Sequence, residues 1–174
     1  MINDFVRNLI YFILFVSIQV LFLNHIHFLR MATPFLYVYF FLKLPYGMSR
    51  SQMLFLSFIT GLAIDAFTNT PGMHAAACTL AGFVREPLIR FLIGKDMPEG
   101  LYPSFRTFGY GSFFRYTFLI VAIHHLILFG IESLSLFDPL SLALRILGSM
   151  AVTILLVFAA EAFNLESQRS GEKQ

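Results

Sequence analysis

Long apolar runs alternate with short polar breaks along this 174-residue chain. The first run covers 5–23, interrupted early by Arg7 and Asn8. It ends in Asn24-His25-Ile26-His27 rather than in a small-residue cleavage site, so it reads as a retained first helix and not a signal peptide. A shorter run at 34–44 follows, in which Pro34 suits a first helical turn and Pro45-Tyr46-Gly47 ends the helix. The third run, 51–67, stops at Thr68-Asn69-Thr70-Pro71-Gly72, a string of turn formers. The fourth occupies 73–93, the fifth 112–131 and the sixth 139–163. Between the fourth and fifth, 94–111 is rich in Gly and Pro and reads as a loop; 164–174 is a polar tail. A helix needs about 20 apolar residues to cross a bilayer, and all runs but the second approach that length. The expectation is an all-α integral membrane protein, one bundle of six transmembrane helices, without internal repeats.

Composition sharpens this picture. The chain is 57% hydrophobic and 13% charged, with 22 Phe and no Trp. Soluble domains carry about 25% charged residues, so a soluble enzyme, a nucleic-acid binder or a disordered tail is disfavoured. Charge distribution sets the orientation. Six helices put both termini on one side, together with Arg7, Lys43, Arg50, Arg85, Arg90, Lys95, Arg106, Arg115, Arg169 and Lys173. Only Arg30 and Arg145 fall on the other side. The positive-inside rule then places both termini and the 94–111 loop in the cytoplasm.

Catalytic signatures are missing. The chain has no phosphate loop, no HExxH and no GxSxG. Its one cysteine, Cys78, excludes an internal disulfide and reads as a small buried side chain. His25 and His27 are poorly spaced for one ion; His124 and His125 point about 100° apart around a helix. The latter pair is expected to bond to neighbouring helices. Glu86 and Arg90, four apart, form a natural helical pair, whereas Arg85 and Arg115 near helix ends can snorkel. No convergent acid–base site is visible, and no cofactor or metal is expected.

Asp65 is the group that demands a partner, because a carboxylate inside a span costs several kcal/mol unless paired or wet. Two partners suit it. Arg145 lies at similar depth on the sixth helix; alternatively, the carboxylate caps the backbone N–H groups opening the fourth helix at Gly72-Met73-His74. Gly61 shares a helix face with Asp65. Gly72/Ala76 and Cys78/Gly82 are small-residue pairs that let helices approach closely, so the third and fourth helices should form a tight hairpin. Gly61, Asp65, Pro71, Gly72, His74 and Arg145 are the structural or partner-surface candidates.

At Gly61-Leu-Ala-Ile-Asp65, followed by Pro71-Gly72-Met73-His74-Ala75, with Pro45 before Arg50 upstream, the chain resembles the rod-shape-determining protein MreD family. The resemblance extends to six spans without a soluble domain. It implies a non-enzymatic scaffold of the bacterial cell-elongation complex in the cytoplasmic membrane, required for cell shape and lateral peptidoglycan synthesis. The implied partners are the bitopic MreC, actin-like MreB and the peptidoglycan glycosyltransferase and transpeptidase of elongation, directly or indirectly, together with membrane lipids. The family motif falls on Gly61, Asp65 and Gly72. Its six-helix arrangement is similar to the substrate-binding subunits of energy-coupling-factor vitamin transporters, which makes a small-molecule transporter subunit the competing reading.

Overall fold

A computed structural model of the chain describes residues 4–25, 32–94, 97–134 and 138–171. They form helices α1 (Asp4–Leu21), α2 (Val38–Leu42), α3 (Arg50–Thr68), α4 (Met73–Ile93), α5 (Phe105–Phe108), α6 (Tyr110–Glu132) and α7 (Pro139–Gly171). Among the described residues three helices are long and apolar enough to cross a membrane: α3, α6 and the Pro139–Asn164 part of α7. The apolar stretch Val6–Leu21 in α1 is shorter, and α4, though 21 residues long, carries Arg85, Glu86 and Arg90. His27, Arg30, Lys95 and Lys173 lie outside the described residues.

Local chemistry explains most of the boundaries. Ser49 caps α3 by accepting from the Gln52 N–H at 3.3 Å, and Asn69 closes that helix in the left-handed region, φ +56°. Gly94, at φ +118°, ends α4. Asp138 accepts from the Leu140 N–H at 3.2 Å, and Pro139 opens α7, where its missing N–H costs nothing. That helix does not stop at 163 but continues to Gly171. The 94–111 stretch is not all loop: Ser104 and Thr107 form a capping box that starts α5, and α6 begins at Tyr110.

The second run departs most from expectation. It is helical over five residues only, a rise of about 7.5 Å. Pro34 does not open a helix; it sits in extended chain whose groups bond sideways, the Pro34 carbonyl to Gln19 Nε2 at 2.9 Å and the Phe35 N–H to Thr153 Oγ1 at 3.0 Å. All five residues of α2 are buried. The stretch 33–46 is therefore the axis of the bundle rather than one of its staves. It enters beside Gln19 and Ser149 and leaves beside Leu101, whose carbonyl accepts from the Tyr46 N–H at 2.8 Å. Around it α1 runs antiparallel, Phe12 touching Phe40 and Phe15 touching Tyr39. Then α3, α4, α6 and α7 follow up-and-down, α3 packed on α4, α4 on α6 and α6 on α7. Irregular backbone is tolerated there because protein surrounds it and supplies its hydrogen-bond partners.

Large apolar side chains cover the outside, among them Phe55, Phe67, Phe91 and Leu155, each more than half exposed. A water-facing surface would not carry such side chains so densely.

Candidate functional site

The α3–α4 joint is built on the Asp65 carboxylate. Oδ1 accepts from the His74 N–H at 3.0 Å and from Thr70 Oγ1 at 2.9 Å; Oδ2 accepts from the Ala75 N–H at 2.9 Å. The carboxylate, almost fully buried, thus sits on the positive end of α4. Of the two partners open to it, the helix N-terminus is the one found. Arg145 pairs instead with Glu132 at 2.6 Å, at the partly exposed end of the bundle, because these residues flank the α6–α7 turn and meet without crossing the core.

The turn before α4 supplies the geometry. Thr70-Pro71-Gly72-Met73 closes with the Met73 N–H donating to the Thr70 carbonyl at 3.2 Å. Pro71 sets the first corner, and Gly72, at φ +83°, takes the second, where a side chain would be strained. Gly72 is needed for that conformation and not for close packing, since a Cβ there would meet nothing within 4 Å. Close packing falls on Gly61 and Gly82. A Cβ on Gly61 would lie 2.5 Å from the Ala75 backbone N and Cα, and one on Gly82 would lie 2.9 Å from Ser57 Cβ. The hairpin is as tight as the small residues suggest, although Gly61 and Ala75, rather than Gly72 and Ala76, make its closest approach.

From this joint a hydrogen-bonded chain crosses the core. His74 Nδ1 and His124 Nε2 each lie 2.7 Å from the Tyr37 hydroxyl. His125 Nδ1 is 2.8 Å from the Val121 carbonyl and 3.5 Å from His124 Nδ1; its Nε2 is 3.3 Å from Thr153 Oγ1. The Val121 carbonyl can only accept, so a neutral His125 carries its hydrogen on Nδ1 and accepts from Thr153 on Nε2. The Tyr37 hydroxyl joins His124 to His74. The chain thus ends at a cleft of about 390 Å³ at the Asn24, Thr33 and Thr68 end of the bundle, in whose wall His74 sits. Each imidazole of the adjacent pair therefore engages another part of the fold, as the sequence suggests.

Two further polar joints hold the opposite half. Lys43 Nζ bonds to Glu161 Oε2 at 2.9 Å and to the Pro103 carbonyl at 2.6 Å. Glu161 also accepts from the Tyr39 hydroxyl at 2.6 Å and from the Phe105 N–H at 3.3 Å. Arg85, with no exposed surface, donates from Nε to Tyr116 at 2.9 Å and from Nη2 to the Leu44 carbonyl. Its guanidinium caps the carbonyl end of α2, where a cation is favoured. Arg85 consequently does not snorkel: α2 and α6 enclose it. Arg115 is exposed and bonds within its own helix, and Glu86 and Arg90 pair at 3.2 Å as their spacing requires.

Sequence reasoning singled out Gly61, Asp65, Pro71, Gly72 and His74, which the structure brings together, and Arg145, which stands apart. It missed Tyr37, Tyr39, Lys43 and Glu161. Glu161 did leave a signal, as a lone carboxylate within the apolar Ala159-Ala160 and Ala162-Phe163 flanks. Among the described residues no group of three His, Cys, Asp or Glu side chains could hold a metal ion. No family model, curated protein or solved structure matches the chain.

Proposed function

We propose that this chain is a six-pass scaffold of the bacterial cell-elongation complex, seated in the cytoplasmic membrane with both termini inside, as its resemblance to the MreD family implies. One observation carries the reading. Asp65, the carboxylate most in need of a task, is consumed by the α3–α4 joint, with both oxygens engaged by Thr70, His74 and Ala75. Lys43 and Glu161 are likewise spent on each other and on the backbone at the start of α5. Groups used in this way rigidify a surface and do no acid–base work. The hairpin so fixed is the surface on which the single span of an MreC-like partner rests; MreB and the wall-synthesis enzymes join directly or through it.

The test is purification of the tagged protein from native membranes in mild detergent, with mass spectrometry of what stays bound. Recovery of a bitopic MreC-like protein with peptidoglycan synthases is the expected result. A paired ATPase and a coupling membrane subunit would overturn it in favour of the transporter reading. That second reading draws on the cleft beside His74, lined also by Asn24, Thr33, Phe35 and Thr68, a polar and aromatic hollow suited to a small ligand. Saturable vitamin binding by the purified protein would select it.

A further inference from the structure

We propose that the face shared by α3 and α4 holds one anionic phospholipid, its phosphate headgroup at the Arg50 end and an acyl chain along α4. Two hollows on this face meet at one residue. The first, of about 430 Å³, lies between the start of α3 and the end of α4, with Arg50, Glu86 and Arg90 around it and Met48, Met53 and Phe83 as apolar walls. The second, of about 700 Å³, is a groove along α4 past Leu80, Thr79 and Ala76, with Leu54 and Phe58 on its α3 bank. Phe83 lines both.

The charge arithmetic of the first hollow favours an anion. Two guanidinium groups face one carboxylate. Arg90 takes Glu86 at 3.2 Å, while Arg50 makes no ion pair among the described residues and rests its guanidinium over the Phe83 ring, 4.9 Å from the centroid. That stacking leaves the N–H edge of Arg50 open to a phosphate oxygen, the acceptor its fork geometry suits. Arg50 also opens α3, whose first-turn N–H groups add positive potential.

The second hollow selects the rest of the molecule. A free phosphate would use the charged end alone. Here the apolar groove continues from Phe83 to Gly72, eleven residues of α4 and about 16 Å at 1.5 Å per residue. The groove runs from the middle of α4 to its start, so an acyl chain whose headgroup sits at Arg50 enters it at Phe83. Thr79 does not interrupt the groove electrostatically, because its hydroxyl donates back to the Ala75 carbonyl at 2.7 Å. The proposal needs the bundle to lie in a membrane but does not depend on the elongation partners.

Native mass spectrometry of the full-length protein in detergent tests it, with phosphatidylglycerol, phosphatidylcholine and water-soluble glycerol phosphate as probes. One phosphatidylglycerol should remain bound, about tenfold tighter than phosphatidylcholine. The double variant R50Q/R90Q should lose about tenfold or more in that affinity. A76F, which fills the groove without touching a charge, should weaken the lipid and leave folding intact, checked by thermal unfolding. R115Q, an exposed arginine outside both hollows, should bind as the parent does. Equal binding of the two phospholipids, or an R50Q/R90Q protein that retains phosphatidylglycerol, would overturn the proposal. So would glycerol phosphate competing as well as the intact lipid, since the site would then serve a free phosphate.

Discussion

Replacing Asp65 by Asn separates a carboxylate clamp from a merely polar one. The asparagine oxygen can keep the Thr70 hydroxyl and the His74 N–H, which both bond to Oδ1. Its NH2 group then faces the Ala75 N–H, which now donates to Oδ2 at 2.9 Å. Donor meets donor, and a buried N–H loses its acceptor. A hydrogen bond to a charged group contributes about 1.5–3 kcal/mol, and a charge on a helix N-terminus adds about 0.3–1 kcal/mol. The expected loss is about 2–4 kcal/mol. At about 2–4 °C per kcal/mol for a chain of this size, the unfolding midpoint should fall by roughly 4–16 °C. The protein carries its own probe: Cys78 is the one cysteine and has no exposed surface, so a thiol-reactive fluorogenic dye reports unfolding directly. R145Q is the matched control. Its partly exposed pair with Glu132 contributes about 0–1 kcal/mol, and the midpoint should move by no more than about 4 °C. A D65N midpoint within about 2 °C of the parent, or an R145Q loss equal to that of D65N, would refute the assignment of Asp65 to the α4 N-terminus.

Three substitutions probe the remaining joints by the same dye assay. G82A should destabilise by about 1–3 kcal/mol through its clash with Ser57, and S57A added to it should recover part of the loss, removing Oγ but keeping Cβ; G61A, whose clash is with the backbone of His74 and Ala75, should cost at least as much and respond to no side-chain trimming, so rescue of G61A by S57A would contradict the packing described. K43M should cost about 3–5 kcal/mol by leaving Glu161 buried and uncompensated, whereas K43M/E161Q should recover part of that loss; a double variant no better than K43M would show that the pair is not the source of the effect.

The long helices were legible because lipid-facing runs need little else than length and apolarity. α3, α6 and α7 lie where the runs place them, and Ser49, Asn69 and Gly94 mark ends that local chemistry dictates. The Asp65 joint was half legible: nine residues separate the carboxylate from His74, so a helix-start cap was a local possibility, but choosing it over Arg145 required the fold. The axis at 33–46 was hidden. Its hydrophobicity matches that of a span, yet its backbone bonds to Ser149 and Thr153, more than a hundred residues away, and no periodicity records such partners. Arg85 and Lys43 were misread or passed over for the same reason, since their acceptors, backbone carbonyls among them, are placed only by the tertiary structure.

The buried stretch around α2 also constrains how the protein can be made. Its backbone and its lysine are satisfied by Ser149, Thr153 and Glu161, which are synthesised 116 to 118 residues after it. During synthesis the stretch therefore reaches the membrane with extended backbone groups unpaired and its partners not yet translated. It is too short a helix to rest in lipid alone. Its partners on α7 become available only after α3, α4 and α6 have been made. Folding of this chain is thus a closing operation, in which α7 completes a stretch made more than a hundred residues earlier.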